Sequence, residues 1–177
     1  MREGFYKLLS SIEKSVEFID DEIANQFLKK IRETRGSIFI LGAGRSRLVG
    51  EFFGMRLMHL GKSVYIVGEV TTPSIKSDDI IIAISNSGET SSTVTIAKKA
   101  KSAGASLVAL TSQESNTLSS MADTTVLIPV KEKNAYTPLG SAFEINTLIF
   151  LEVFIGEYML KYGIQEEQLK TNHTNLE

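Results

Sequence analysis

Five short apolar runs recur along this chain: SIFIL at 37–41, SVYIV at 63–67, IIIAI at 80–84, SLVAL at 106–110 and TTVLI at 124–128. Runs of this length, rich in β-branched residues and lacking strict alternation, fit strands buried on both faces. The stretches at about 45–60, 90–103 and 115–122 carry helical patterning instead. Strands that alternate with helices argue for a parallel sheet covered on both sides. The expected fold is α/β: a three-layer α/β/α sandwich with a five-stranded parallel sheet, Rossmann-like in layout.

The flanks are helical. In 4–34, Phe5, Leu8, Leu9, Ile12, Val16 and Ile19 recur at helical spacing, as do Ile23, Phe27, Leu28 and Ile31, so one or two amphipathic helices are expected there. They would pack on the sheet or on another subunit. A last helix is expected over about 138–161, with Thr137 as its cap and Pro138 at its first position. The closing NHTNLE has no packing signal of its own. With no repeat, no low-complexity stretch and no boundary, residues 1–177 read as a single domain. Its parts are N-terminal helices at 1–35, an α/β core at 36–162 and a tail at 163–177.

Composition narrows the function. A formal net charge of −2 gives no support for nucleic acid or an anionic membrane as a partner. The absence of cysteine removes disulfides, thiolate catalysis and zinc–cysteine sites together. Two histidines, His59 and His173, make a histidine-based metal site a poor expectation. Neither metal nor cofactor is expected. The N-terminus is too charged for a signal peptide, and no apolar run is expected to span a membrane. The reading is a cytoplasmic enzyme-sized domain.

The third apolar run leads into Ser85-Asn86-Ser87-Gly88-Glu89-Thr90 and then a helix. In open α/β sheets, ligands bind beyond the carboxyl ends of the strands. A helix N-terminus there offers unpaired N–H groups and a partial positive charge. Gly88 would let backbone approach a ligand, and Ser85, Ser87 and Thr90 add hydroxyls. Ordinary capping is the competing explanation, since Ser and Thr favour helix starts regardless of ligand. One cap needs one hydroxyl, and this loop has several. The Walker pattern is absent, so the expectation is a neutral-donor phosphate cradle.

The first run repeats the layout in FILGAGRSRLVGEFF, 39–53. Gly42-Ala43-Gly44 invites a dinucleotide reading, but the third glycine of that pattern would fall at Arg47, whose side chain would obstruct close helix–strand packing. Glu69, at the end of the next strand, stays open as a ribose acid. The alternative is a second edge of one ligand site. Ser46 would donate to phosphate or to a sugar hydroxyl, and Arg45 or Arg47 would supply positive charge. Surface salt bridging explains the arginines equally well.

With these two loops in view, the chain resembles the sugar isomerase (SIS) domain family, whose loop is Ser-x-Ser-Gly-x-Thr/Ser. Within it the chain is most similar to the 6-phospho-3-hexuloisomerases. GAGRS (42–46), MRLMHLG (55–61) with VGEVTTPSIKSDD (67–79), PLGSAFEINTLIFLE (138–152) and the terminal NHTNLE carry the likeness. Asn86 and Arg47 depart from that closer family, which commonly has glycine at both. The resemblance implies interconversion of D-arabino-3-hexulose 6-phosphate and fructose 6-phosphate through an enediolate, without a cofactor. It implies a role beside formaldehyde fixation in the ribulose monophosphate pathway, or in pentose supply in reverse.

The resemblance also makes Glu144 the base, and binding of the phosphosugar falls to Arg45, Ser46 and Ser85, Asn86, Ser87, Gly88, Glu89 and Thr90. The residues add some support. Gly140, Leu148 and Leu151 share a helix face with Glu144, and a carboxylate there is partly withdrawn from water. An ordinary helix-end glutamate has the same position, while Glu152 lies on another face. His59 falls roughly 20 Å from Ser46 along a helix rising about 1.5 Å per residue. It is either a buried structural histidine or a catalytic group lent to a neighbouring subunit. His173 would dock with the tail, near a site. Because SIS isomerases build sites at subunit interfaces, a homo-oligomer, dimer or tetramer, is expected. Two alternatives share the loops: another aldose–ketose phosphosugar isomerase, and a non-enzymatic phosphosugar sensor, which would need no base.

Overall fold

The computed structural model describes residues 1–132 and 135–176. Two helices, α1 (Arg2–Val16) and α2 (Asp21–Glu33), precede the first strand. Then come β1 (Ile38–Gly42), α3 (Arg45–His59), β2 (Val64–Ile66), β3 (Ile80–Ile84), α4 (Ser91–Ser102) and β4 (Ser106–Thr111). The chain continues with α5 (Thr117–Met121), β5 (Thr124–Leu127), α6 (Ser141–Tyr162) and α7 (Glu166–Thr171). All strand pairs are parallel, in the order β2-β1-β3-β4-β5. This is the three-layer sandwich expected.

Strand alternation sorts the core into two halves. Ile38, Ile40, Ile80, Ile82, Ile84, Val108 and Leu110 face α2, α3 and α6. There Phe27, Phe53 and Phe154 pack ring to ring, with centroids 4.4 Å apart for Phe27–Phe154 and 5.5 Å for Phe53–Phe154. On the other face Phe39, Leu41, Ile81 and Ala83 meet Ala97 and Ala100 of α4 and Leu118 of α5. Isoleucine-rich strands buried on both faces explain why the runs read as unbroken apolar segments.

Several expectations change. Helix α6 starts at Ser141 with Gly140 as its N-cap, after a 3-10 turn over Pro138–Gly140, so Thr137 and Pro138 stand at the start of the turn rather than of the helix. The tail forms α7, with Leu169 buried, where no element was expected; Glu177 lies outside the described residues. The segment Pro138–Tyr162 is long and apolar enough to cross a membrane by length and composition, contrary to the expectation. Its Phe143, Leu151, Phe154, Ile155 and Tyr158 are buried in the core, as in a helix that packs against a sheet. Arg47 does not obstruct packing: its side chain turns to Glu51 (2.7 Å) and to Glu69, the residue left open as a ribose acid. Close approach of α3 to β1 is made at Gly42, where a Cβ would lie 2.8 Å from the Arg47 backbone nitrogen.

Candidate active site

The sheet order reverses between β1 and β3, and ligands of open parallel sheets bind at such a switch point. Gly42 of β1 is in register with Ile84 of β3, so segments 43–46 and 85–90 leave the sheet side by side. With Leu139 and Glu144 they enclose a cavity of about 350 Å³, bordered by Arg45, Ser46, Ser85, Asn86, Ser87 and Thr90.

Three helices begin at this cavity: α3 at Arg45, α4 after Thr90 and α6 just before Glu144. None has a side-chain cap. Of the helices that begin elsewhere, α2 and α5 are capped by the side chains of Asp20 and Asn116, whereas α1 has no side-chain cap and at α7 it is the Gln168 side chain that accepts from the Gln165 N–H. A helix start without a cap leaves N–H groups and partial positive charge for another acceptor. Three of them around one cavity make a setting for an anion. The hydroxyls of the 85–90 loop are therefore not capping α4. The Ser85 Oγ is buried, accepts from the Gly88 N–H at 3.2 Å and lies 3.2 Å from Thr90 Oγ1. The Ser87 Oγ accepts from the Glu89 N–H at 3.2 Å. Asn86 is anchored by Ser112, whose hydroxyl donates to Asn86 Oδ1 at 2.6 Å.

Two loop residues face elsewhere. Glu89 accepts from the Thr117 N–H (2.6 Å) and hydroxyl (2.7 Å) at the start of α5. Those two bonds hold its carboxyl below the usual range. Gly88 has φ 68°, and a Cβ there would fall 2.0 Å from Asn116 Oδ1. Its neighbour needs that space whether or not a ligand does. Neither Gly88 nor Glu89 lines the cavity.

Glu144 closes the opposite wall. Ser46 donates to one carboxylate oxygen at 3.1 Å and the Arg45 Nε to the other at 3.3 Å. The Glu144 side chain is only 13% exposed. The two arginines are thus separated: Arg45 stands at the cavity, and Arg47 is engaged with Glu51 and Glu69. Glu152 makes a two-pronged ion pair with Arg56, tying α6 to α3 away from the cavity.

His59 and His173 do not join this group within one chain. They stack on each other at the far end of α3, ring centroids 5.1 Å apart and 16° from parallel. Asn172 donates to the His59 carbonyl at 3.0 Å. Burial, the neighbouring His173 and then Arg56 hold His59 below the usual histidine range.

Leu139 was missed from the sequence. It borders the cavity, and its carbonyl accepts from Arg45 Nη2 at 2.6 Å. Nothing in PLG marks a leucine for such a contact. The signal is a backbone angle, which sequence patterning does not carry.

Comparison with known proteins bears on this site. The SIS domain model matches residues 30–153. A 3-hexulose-6-phosphate isomerase of Methylomonas aminofaciens is 39% identical, the match covering 97% of this chain and 94% of that one. One from Methanocaldococcus jannaschii is 45% identical over 78% and 76% of the two chains. A Methanococcus jannaschii protein, whose crystal structure was described as inferring a function of 3-hexulose-6-phosphate isomerase, is 37% identical. It superimposes with a TM-score of 0.86, covering 96% of this chain and 98% of that one.

Proposed function

The chain belongs to the SIS domain family, and we propose that it is a 3-hexulose-6-phosphate isomerase. It interconverts D-arabino-3-hexulose 6-phosphate and fructose 6-phosphate. The observation that carries this reading is the cavity itself: a carboxylate held by Ser46 and Arg45 on one wall, with three uncapped helix starts and a hydroxyl loop around it. The relatives' names supply the substrate.

The steps follow from the chemistry. The phosphate sits against Ser87, Thr90 and the start of α4, where neutral donors and the helix field neutralise it. Glu144, an acceptor in both of its contacts, takes the proton from C2. The C3 carbonyl becomes an enediolate oxygen, and the partial charges of the helix starts stabilise the developing anion. The hydroxyl proton on O2 moves to O3, the carbonyl forms at C2, and Glu144 returns its proton to C3. A single carboxylate serves both carbons because they are adjacent.

His59 is assigned the O2–O3 proton transfer in a neighbouring subunit's cavity, since it stands about 20 Å from its own. A neutral imidazole both donates and accepts, and the surroundings of His59 favour that form. His173 then acts as its support. This requires a homo-oligomer, a dimer or a tetramer. The stripe Leu48, Phe52 and Met55 on α3 supports one, being apolar at helical spacing, with Leu48 and Met55 exposed and Phe52 half-buried. A phosphorylated substrate places the enzyme in the cytoplasm, and the whole chain is read as one domain. The test is incubation with fructose 6-phosphate and hexulose-phosphate synthase. Formaldehyde release is expected; its absence with active synthase contradicts the assignment.

A further inference from the structure

Leu139 is the one non-glycine residue with a positive φ among the described residues, at φ 54° and ψ 32°. Its side chain packs on nothing: the residue is 91% exposed. A leucine that contributes no burial and holds a left-handed backbone is a local cost, and such costs cluster at functional sites. The backbone here has a visible task. In this conformation the Leu139 carbonyl meets Arg45 Nη2 at 2.6 Å, and the Nε of the same guanidinium meets Glu144 at 3.3 Å. A guanidinium is planar, so fixing one nitrogen sets where the others point. Arg45 is otherwise half-exposed and long, free to occupy many rotamers. The preceding and following residues hold the turn in place: Pro138 has its φ fixed by its ring, and Gly140 lies against Asn86, whose amide nitrogen would be 2.9 Å from a Cβ there.

We propose that Leu139 is a positioning residue for the isomerisation. Its left-handed backbone aims its carbonyl at Arg45, and Arg45 so held fixes the Glu144 carboxylate toward the substrate. The inference rests on Glu144 being the base. It predicts that activity follows how readily residue 139 adopts a left-handed backbone, not how large or apolar the side chain is. Glycine enters that region freely and asparagine tolerates it, whereas a β-branched residue is a severe outlier there.

The experiment measures kcat and KM for fructose 6-phosphate in Leu139→Gly, Leu139→Asn and Leu139→Val, each alone and combined with Arg45→Ala. Leu139→Val is expected to lower kcat by about tenfold to a hundredfold, the scale for a misplaced catalytic group, with KM changed only a few-fold. Leu139→Gly and Leu139→Asn are expected to stay within a few-fold of the parent; both relieve the strained angle, so they report even where Leu139→Val folds poorly. In the Arg45→Ala background, Leu139→Val is expected to add no further loss. Activity that follows apolar size, with Leu139→Val active and the glycine and asparagine variants poor, would overturn the proposal. So would a full Leu139→Val loss that persists without Arg45. Glu144→Gln assayed in parallel separates the two levels. If it turns over normally, the base assignment itself is wrong; if it is inactive while Leu139→Val is normal, only the positioning proposal fails.

Discussion

At the scale of single residues, the cavity assigns different work to side chains that look alike in the sequence. Ser85 is buried and ties its loop together, whereas Ser87 is exposed at the cavity. Only the second is free to meet a phosphate. Ser87→Ala is therefore expected to raise KM about tenfold to a hundredfold, the loss of one charge-assisted hydrogen bond of about 1.5–3 kcal/mol. The contact exists in ground and transition states alike, so kcat should hold nearly constant. Steady-state kinetics with fructose 6-phosphate checks this, and unchanged constants would leave the loop a purely structural turn. Glu89 was expected in the binding group from its place in the motif. It points to Thr117 instead, because the Asn116 cap serves Ser119 and leaves the Thr117 N–H and hydroxyl as donors for a nearby carboxylate. Spacing along the chain cannot say which of two nearby helix starts a side chain will serve.

At the scale of elements, the position of α3 controls the site. It carries Arg45 and Ser46, and it rests on β1 at Gly42, where a Cβ would sit 2.8 Å from Arg47 N and 2.9 Å from Ser46 C. Backbone atoms cannot rotate away as a side chain can. Gly42→Ala is expected to push the start of α3 off the strand, costing about 1–3 kcal/mol of stability. For a chain of this size that lowers Tm by about 2–4 °C per kcal/mol. Because Ser46 moves with the helix, kcat should fall up to about a hundredfold; a variant with parental melting and turnover would show that the approach at Gly42 is not needed. The far end of α3 has its own dependence on pH. The pKa of His59 is lower in the folded state than its unfolded value, near 6.5. Between these two values the unfolded state binds more protons, so the stability is fully present above about 6.5 and is lost as pH falls from there through the lower folded-state value. The stack on His173 should loosen over that window. Hydrogen exchange in α7 is expected to accelerate on acidification, and His59→Gln to flatten that dependence. Exchange that is independent of pH in the parent, after correction for intrinsic rates, would contradict it.

At the scale of the whole molecule, most of the architecture was legible. The five apolar runs became the five strands, each end within one residue of its expected place. Burial on both faces made them visible; the strand order, and with it the switch point between β1 and β3, is set by the three-dimensional packing and was not legible. The tail helix α7 was not legible, because six residues with a single buried apolar side chain, Leu169, carry no periodicity. The Leu139 turn was hidden for another reason: a left-handed leucine is imposed by tertiary contacts against its own preference. The role proposed for His59 involves a second copy of the chain, which the fold of one chain does not determine. Light scattering at working concentration is expected to give two or four times the 19.5 kDa chain mass. A fully active monomer would remove His59 from the reaction. The central claim is that Glu144 moves a proton between C2 and C3 of a bound phosphosugar. The direct measurement is exchange of the C2-bound hydrogen of fructose 6-phosphate with solvent deuterium, followed by NMR in the parent and in Glu144→Gln. Exchange should be rapid in the parent. In the variant it should fall by about 10²–10⁴, while fructose 6-phosphate still binds with a dissociation constant changed only a few-fold. Near-parental exchange in Glu144→Gln, or a parent protein that binds the phosphosugar with neither exchange nor turnover, would contradict the claim.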